Sequence, residues 1–201
     1  MAVRHGETEW SAAGRHTGRT DVGLTERGRR QARALARALA GLAFAQVLTS
    51  PAFRARETCA LAGLGSGAQV AEELSEWDYG DFEGRTTADI RRDWPGWSLW
   101  RHGPPGGETA GQVRSRVDRL VARLRDAPGP VAVFAHGHVL RVLAARWVGL
   151  GVEAGALLAL DPATVSVLGY EREVPVVAAW NCPIDLARSL ARCLGGGPGT
   201  P

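Results

Sequence analysis

The stretch of sequence that constrains the fold most is an apolar run ending in histidines: Val131-Ala132-Val133-Phe134-Ala135-His136-Gly137-His138. Consecutive apolar residues of this kind are typical of a strand that is buried on both faces, as the strands of a parallel sheet are. His136 therefore follows the carboxyl end of a strand, where open α/β sheets bind their ligands. The stretch predicts an α/β fold with a ligand site at that end of the sheet.

Two other points of the chain show a predicted strand that leads into polar residues. Ala2 to Arg4 forms the end of a short strand that His5 follows, and a strand over 44–48 leads through a turn to Arg54. The carboxyl ends of parallel strands lie at one edge of a sheet. We therefore expect His5, Arg54 and His136 to meet in one crevice.

The rest of the pattern alternates helices with strands. We expect helices from Thr25 as N-cap to Ala40, from Ala52 to Leu61, near Thr87 to Arg92, from Thr109 to before Pro128 and from Val139 to Val148, with two or three strands between Ala156 and Trp180. The segment from Ser75 to Gly107 shows no sustained period and is interpreted as a long excursion that covers the site. This alternation predicts a three-layer α/β/α sandwich with a mostly parallel central sheet.

Length and composition indicate one folded domain. The chain has 201 residues, of which 45% are hydrophobic and 22% charged, enough to bury one core. We expect a single domain over residues 1–194 and a disordered tail over 195–201. Three cysteines without C-x-x-C spacing favour reduced thiols. The sequence shows neither a bilayer-spanning apolar run nor the apolar core of a signal peptide, so we expect a cytoplasmic protein.

The basic residues do not indicate a nucleic-acid or membrane partner. All 24 are arginines, and they give a net charge of +3. They are spread through predicted helices beside acidic residues, without a compact basic tract or a nucleic-acid motif. We therefore expect no nucleic-acid partner and no membrane partner.

The residues at the strand ends suit phosphoryl transfer. Such a site needs a nucleophile and fixed cations around the phosphate oxygens. His5 lies between Arg4 and Gly6, so a neutral imidazole can attack phosphorus while the glycine leaves room for the phosphate. The guanidinium groups of Arg4 and Arg54 offer paired donors and should lower the pKa of His5. His136 would add another donor.

An alternative interpretation of His136 and His138 is a metal-binding pair. No carboxylate or cysteine lies close in sequence to complete a ligand set. We therefore predict no metal site and no cofactor.

Five ordered motifs make the chain resemble the histidine phosphatase superfamily, which is also called the phosphoglycerate mutase-like family. They are Arg4-His5-Gly6-Glu7-Thr8-Glu9-Trp10, Gly14-Arg15-His16-Thr17-Gly18, Ser50-Pro51-Ala52-Phe53-Arg54-Ala55, Leu74-Ser75-Glu76 with Gly80 and Glu83-Gly84, and Ala135-His136-Gly137. Further matches over residues 76–108 are most similar to sedoheptulose-bisphosphatase and related bacterial acid phosphatases.

The resemblance implies a role for each matched residue. His5 would be the phosphorylated nucleophile, and Arg4, Arg54 and His136 would hold the phosphate. Glu76 would be the proton donor.

The environment of Glu76 fits that role, because Trp77 and Tyr79 could partly desolvate its carboxyl group and raise its pKa. Glu83 is either an alternative acid or a brace for the loop. The substrate contacts that we expect are Gly6, Ser11, Thr17, Gly18, Tyr79 and Gly137. Ser11 stands where the family usually has asparagine.

The function that the resemblance implies is a phosphatase, a phosphoric monoester hydrolase of the histidine acid phosphatase type. Its substrate would be a small phosphorylated metabolite, such as a sugar phosphate or bisphosphate, with Arg15, Arg101 or His102 contacting a second anionic group. One alternative is a phosphoglycerate mutase, which returns the phosphoryl group to the substrate. Another is a non-catalytic phosphate-binding module. The oligomeric state is not predicted.

Overall fold

The computed structural model describes residues 1–183, so the tail expected over 195–201 lies outside the described residues. Within them lie six strands: β1 (Ala2–Arg4), β2 (Gln46–Thr49), β3 (Gln69–Val70), β4 (Val131–Ala135), β5 (Val165–Glu171) and β6 (Val174–Cys182). They form one sheet in the order β3-β2-β4-β1-β5-β6. β4 is central and pairs in parallel with β1 and β2, and β3 extends the parallel part beyond β2. β5 and β6 form an antiparallel hairpin beside β1.

Helices cover both faces of this sheet. The described residues contain α1 (Glu9–Ala12), α2 (Glu26–Leu39), α3 (Phe53–Leu61), α4 (Thr87–Asp93), α5 (Leu99–His102), α6 (Ala110–Arg125) and α7 (Gly137–Trp147), with short 3-10 segments at 72–74, 80–82 and 152–157. None of these helices is both long and apolar enough to cross a membrane.

Alternating residues of β4 separate two hydrophobic cores. Val131, Val133 and Ala135 pack with residues of α6 and α7 on one face. Ala132 and Phe134 pack with residues of α2 and α3 on the other. Every residue of β4 is buried, as expected for a central parallel strand covered on both sides. The three-layer α/β/α sandwich with a mostly parallel sheet is therefore confirmed.

The N-caps explain where two of the helices begin. Thr25 accepts a hydrogen bond from the N–H of Gly28 at 3.0 Å and caps α2. Thr109 caps α6 in the same way through Gln112, whose side chain returns a bond to the cap. Hydroxyl caps of this kind satisfy N–H groups that the first turn leaves unpaired.

Several predicted boundaries differ from the structure. The strand expected over 44–48 lies at 46–49, and α7 begins at Gly137 rather than at Val139. The segment from Ser75 to Gly107 contains both α4 and α5, where one short helix was expected. The buried indoles of Trp77 and Trp97 fix this segment, since they donate to the carbonyl oxygens of Glu108 and Gly103 at 2.7 and 2.8 Å. These two tryptophans therefore pack the segment.

Candidate active site

The carboxyl ends of β1, β2 and β4 bring the predicted motifs together. The N–H of His5 donates to the carbonyl oxygen of Ala135, the last residue of β4, at 2.9 Å. The ring centroids of His5 and His136 are 5.2 Å apart. His5 lines a cleft of about 230 Å³ that Arg4 and Glu76 also line. A crevice therefore lies at this edge of the sheet, and His5 lines it, whereas Arg54 and His136, which we expected to line it as well, lie behind it and bond to each other.

The hydrogen bonding of His5 fixes its tautomer. Nδ1 lies 2.7 Å from the carbonyl oxygen of Gly6. Because a carbonyl oxygen only accepts, Nδ1 carries the hydrogen and Nε2 keeps its lone pair. Burial, together with the cations of Arg4 and Arg54, holds the pKa of His5 well below its usual value. The ring is therefore neutral at neutral pH, and Nε2 is its nucleophilic atom.

Gly6 is a glycine because of packing. A Cβ on Gly6 would lie 2.5 Å from the carbonyl oxygen of Gly28 in α2, and a Cβ on Gly28 would lie 2.1 Å from that of Glu7. The N–H of Gly6 donates to the Thr58 hydroxyl at 3.0 Å. We expected Gly6 to leave room for phosphate, but in the structure it lets the loop backbone lie directly on the first turn of α2.

Arg4 presents a buried donor that has no partner. Its Nε is the buried side-chain atom without a hydrogen bond among the residues that the structure describes. Nη1 donates to the carbonyl oxygen of Leu160. A Cβ built on Gly137 would lie 3.4 Å from Cζ of Arg4, so the guanidinium lies in van der Waals range of the start of α7. An unpaired buried donor is costly, and an anionic oxygen would satisfy it.

Arg54 uses most of its donors within the protein. Nε donates to Nδ1 of His136 at 3.2 Å and Nη1 to the carbonyl oxygen of Thr20 at 3.0 Å. Nη2 donates to the carbonyl oxygens of Thr17 and Gly18 at 2.9 and 3.0 Å. One N–H of Nη1 has no partner among the described residues. Arg54 therefore lies behind the cleft, where it holds the loop of residues 17–20 and adds positive charge.

Arg54 also fixes the tautomer of His136. An arginine only donates, so Nδ1 of His136 accepts and Nε2 carries the hydrogen. Nε2 therefore donates to Oγ of Ser50, 2.7 Å away. Burial, followed by the charge of Arg54, holds the pKa of His136 well below its usual value. The ring N–H that we expected to face phosphate is directed to Ser50, a residue that the sequence analysis did not assign.

Glu83 holds the loop of residues 17–20 from its other side. Its carboxylate accepts the N–H of Gly18 at 2.8 and 3.0 Å and the N–H of Thr20 at 3.1 Å. The N–H of Gly18 is thus engaged, whereas Thr17 lines the cleft. Glu83 was interpreted from the sequence either as an alternative acid or as a brace for the loop. These contacts are those of a brace.

Glu76 lines the cleft and binds the start of α7. Oε1 accepts the N–H groups of Trp77 and Val139 at 2.9 and 2.8 Å, and Oε2 accepts that of His138 at 2.9 Å. Negative charge is favoured at a helix N-terminus. Each carboxylate oxygen has two lone pairs, so Oε2 is the atom with an open one. The two donors that belong to α7, the N–H groups of His138 and Val139, explain why this helix begins two residues earlier than expected.

Ser11 has a local role as well as a place in the cleft. Its hydroxyl accepts the N–H of Thr8 at 2.9 Å and lies 3.0 Å from the Thr8 carbonyl oxygen, to which it donates. These bonds close the capping box of α1. Ser11 lines the cleft, but its hydroxyl hydrogen is already used.

An aromatic wall completes the cleft. The hydroxyl of Tyr79 lies 2.6 Å from Nδ1 of His138, and the ring centroids of His16 and Tyr79 are 4.7 Å apart. Burial lowers the pKa of His16 to about 4 and that of His138 well below its usual value. Tyr79 was expected in the site from the sequence, whereas neither histidine was, although His16 lies in the second motif.

Two further features of this region are the histidine pair at 136 and 138 and the residues expected near a second anionic group. His136 and His138 contact different partners, and residues 1–183 contain no group of three or more side chains placed to hold a metal ion. Of the residues expected near a second anionic group, Arg15 lines the cleft and Arg101 and His102 do not. Nδ1 of His102 instead accepts the N–H of Ser98 at 3.0 Å.

Comparison with known proteins agrees with this geometry. The family model described as histidine phosphatase superfamily (branch 1) matches residues 1–183. The chain belongs to the histidine phosphatase superfamily.

Named relatives within the superfamily include phosphatases. The chain is 41% identical over 182 residues to an acid phosphatase of Mycobacterium tuberculosis, with 89% of each chain covered. It is 36% identical over 186 residues to the sedoheptulose 1,7-bisphosphatase of Saccharomyces cerevisiae. That alignment covers 76% of this chain and 68% of the relative. Mutases also match: the 2,3-bisphosphoglycerate-dependent phosphoglycerate mutase of Parvibaculum lavamentivorans is 36% identical over 189 residues, covering 85% of this chain and 89% of the relative.

A solved superfamily structure has the same fold. It belongs to an open reading frame of Mycobacterium tuberculosis and superposes with a TM-score of 0.86 at 40% identity, covering 91% of this chain and 96% of that one. The predicted family, fold and enzyme class, a phosphoric monoester hydrolase, are thus confirmed. The roles of individual residues stay predictions.

Proposed function

We propose that this chain hydrolyses a small phosphate ester through a phosphohistidine on His5. One observation carries the proposal: a buried, neutral imidazole with its Nε2 lone pair available lines the same cleft as the unpartnered Nε of Arg4. A nucleophile next to an unsatisfied cationic donor is what an incoming phosphate group requires.

In the first step, Nε2 of His5 attacks phosphorus and the bond between phosphorus and the ester oxygen breaks. Arg4 donates to the equatorial oxygens, and Arg54 contributes positive charge from behind the cleft. The leaving oxygen takes a proton from Glu76. Oε2 is the atom for this transfer because it is the oxygen with an open lone pair.

In the second step, a water molecule attacks the phosphorus of phosphohistidine. Glu76, now ionised, accepts a proton from this water, the bond between phosphorus and Nε2 breaks, and inorganic phosphate leaves. His5 returns to its neutral form with the hydrogen on Nδ1, where Gly6 holds it. The cycle needs no change of tautomer at His5.

The substrate in this proposal is a sugar phosphate or a similar small phosphomonoester. The name of the Saccharomyces cerevisiae relative, a sedoheptulose 1,7-bisphosphatase, supports this class. The chemistry proposed uses side chains alone, without a metal or cofactor.

We also propose a cytoplasmic location, which cell fractionation tests.

A phosphate-release assay in EDTA tests the proposal. The substrates are sedoheptulose 1,7-bisphosphate, fructose 1,6-bisphosphate, 3-phosphoglycerate and p-nitrophenyl phosphate. We expect release from at least one of them, loss of that release in His5→Ala, and its retention in His102→Ala, which changes an exposed histidine outside the cleft. Release that survives His5→Ala would exclude His5 as the nucleophile.

The mutase is the second candidate, since a named mutase matches the chain at a similar level of identity. A mutase converts 3-phosphoglycerate into 2-phosphoglycerate in the presence of a bisphosphoglycerate primer and releases little phosphate. Isomerisation with primer would establish the mutase. Binding of phosphate esters with neither reaction would establish a non-catalytic module.

A further inference from the structure

Arg116 is a buried arginine on α6 that uses every one of its donors. Its side chain is 10% exposed. Nε and Nη2 donate to the two carboxylate oxygens of Glu108 at 2.7 and 2.8 Å. The three remaining N–H groups donate to backbone carbonyl oxygens at 2.9, 2.7 and 3.2 Å, which belong to Glu73, Ser75 and Glu76. A guanidinium has five N–H donors, so this one is fully satisfied.

Glu108 binds the residues that follow Glu76. Its Oε2 also accepts the N–H of Asp78 at 3.0 Å, and its own N–H donates to the carbonyl oxygen of Asp78 at 3.0 Å. Its carbonyl oxygen accepts the indole N–H of Trp77 at 2.7 Å. Glu108 and Arg116 together therefore hold the backbone before and after Glu76, and we call this pair the Arg116–Glu108 clasp.

The backbone of Glu76 has no regular structure of its own to hold it. Residues 75–79 lie between two short 3-10 segments and belong to no helix or strand. Among the described residues, the carbonyl oxygen of Glu76 accepts a hydrogen bond from Arg116 alone. The carboxylate of Glu76 lies at the first turn of α7, where it accepts two N–H groups. The clasp therefore sets the point from which this side chain reaches α7 and the cleft.

A buried ion pair of this kind adds little stability by itself. Taking two charges out of water costs free energy that their attraction only partly offsets, and apolar residues of similar volume are often as stable. The planar guanidinium supplies geometry instead, because its donors have fixed directions. Neither Arg116 nor Glu108 lines the cleft of His5. The clasp therefore acts on the reaction through the residue that it holds.

We propose that the Arg116–Glu108 clasp positions Glu76 for proton transfer to the leaving oxygen. This inference rests on the proposed phosphatase function and adds two positioning residues to it. Oε2 of Glu76 must lie within hydrogen-bond reach of the ester oxygen when the bond to phosphorus breaks. A misplacement of about 1 Å can lower the rate of such a step about a hundredfold. Loosening the clasp should therefore slow proton transfer and leave the attack of His5 unchanged.

Two phosphate esters of similar shape separate proton transfer from the rest of the reaction. p-Nitrophenyl phosphate has a leaving group that departs without a proton. p-Nitrobenzyl phosphate is longer by one methylene and releases an alkoxide, which requires a proton. The measurement is kcat/KM for phosphate release, which covers the steps up to formation of phosphohistidine and release of the alcohol.

The first variant is Arg116→Lys, in which an ammonium keeps the charge but cannot bind a carboxylate and three carbonyl oxygens at once. We expect kcat/KM to fall about tenfold or more for the benzyl ester and less than about threefold for the phenyl ester. If this variant does not fold, the double variant Arg116→Met/Glu108→Gln replaces it. That change removes both buried charges and keeps an acceptor for the N–H of Asp78.

The matched control is Arg146→Lys. Arg146, on α7, also binds one carboxylate through two nitrogens, that of Asp118 at 2.6 and 3.2 Å, and also donates to a carbonyl oxygen, that of Leu150 at 2.7 Å. It lies outside the cleft of His5. This variant should leave kcat/KM unchanged for both esters.

The variant Glu76→Gln tests whether the clasp acts through Glu76. A glutamine cannot donate the proton, so this variant should lower kcat/KM selectively for the benzyl ester. Adding Arg116→Lys to it should cause no further selective loss, because residues that act through one group are not additive.

Three results would overturn the proposal: unchanged kcat/KM in Arg116→Lys, an equal loss on both esters, or a further selective loss when Arg116→Lys is added to Glu76→Gln. If the wild type cleaves neither ester, hydrogen exchange at the Val139 amide, which bonds to Glu76, decides instead. Faster exchange in Arg116→Lys than in the wild type and Arg146→Lys would support the positioning role, and equal exchange would reject it.

Failure of the proposed function has a different signature. It would appear as absence of His5-dependent phosphate release from these esters and from all four substrates of the phosphate-release assay. The exchange rate of the Val139 amide does not depend on that result.

Discussion

The tautomer of His136 depends on two neighbours that lie far away along the chain. Arg54 donates to Nδ1, and Ser50 accepts from Nε2 at 2.7 Å. Both contacts are buried, so each is worth more than the same contact in water. Ser50 is therefore a positioning residue, because without it the Nε2 hydrogen of His136 loses its acceptor.

Replacing Ser50 by alanine should lower kcat/KM by about tenfold, because a buried donor left without an acceptor costs ~1–3 kcal/mol. The measurement is kcat/KM together with the ¹⁵N shifts of His136, which report its tautomer. Ser115→Ala is the control, since Ser115 is exposed and its hydroxyl donates within α6. Unchanged kinetics and unchanged His136 shifts in Ser50→Ala would contradict the positioning role.

The residues that could be predicted are those whose position follows from a strand end. Arg4 is the last residue of β1, and His5 and His136 come directly after β1 and β4. The predicted strands therefore place all three at the correct edge of the sheet. Ser50 and His138 escape prediction because their functions depend on partners 86 and 59 residues away in the chain. Sequence spacing does not show which way such side chains turn.

At the scale of elements, the loop of residues 17–20 has no regular hydrogen bonding of its own. Arg54 holds its carbonyl oxygens, and Glu83 accepts the N–H groups of Gly18 and Thr20. Two buried or partly buried side chains of opposite charge thus clamp it from both sides.

Replacing Glu83 by glutamine should loosen this loop, since hydrogen bonds to a charged group contribute roughly 1.5–3 kcal/mol. We expect faster hydrogen exchange at the amides of Gly18 and Thr20 and a several-fold higher KM. The exposed Glu173, in the β5–β6 hairpin, provides the control Glu173→Gln. Equal exchange rates in the wild type and Glu83→Gln would show that Arg54 alone holds the loop.

The elements themselves could be predicted where caps and apolar stripes are local. Thr25 and Thr109 signal the starts of α2 and α6 correctly. The start of α7 could not, because its first turn is completed by Glu76, which is distant in sequence. The helices within 75–107 are likewise stabilised by buried tryptophans and not by an amphipathic repeat of their own.

At the scale of the whole molecule, the fold keeps three histidines buried and a fourth, His138, partly buried, and it keeps all four uncharged. They are His5, His16, His136 and His138, and burial is the main cause of the lowered pKa of each. In the unfolded chain these groups take up protons near the usual pKa of 6.5. Below that pH the unfolded state binds more protons than the folded state, so the stability present above it is lost as the pH falls.

For His16 this loss extends from about pH 6.5 down to its folded pKa of about 4. The free energy of unfolding in urea should therefore be lower at about pH 5 than at about pH 7.5, and His16 alone should account for ~2 kcal/mol of the difference. His16→Gln should show a smaller decrease than the wild type. His102→Gln, at an exposed position, should show the same decrease as the wild type.

The global architecture could be predicted because a doubly buried strand admits few topologies. The mostly parallel pairing of the sheet and the shared edge for His5 and His136 follow from it, whereas the order of the strands was not predicted. Spacing along the sequence does not show that Arg141, on α7, lines the cleft.

The close contact between the backbones at Gly6 and Gly28 affects how loss of activity in a mutant library is interpreted. A side chain at position 28 would place its Cβ 2.1 Å from the Glu7 backbone, which would displace the loop that carries His5. In a screen scored by colony colour, Gly28→Ala would therefore fail as completely as His5→Ala. Sorting the same library by soluble yield as well would separate them, because only the glycine variant should also lose folded protein.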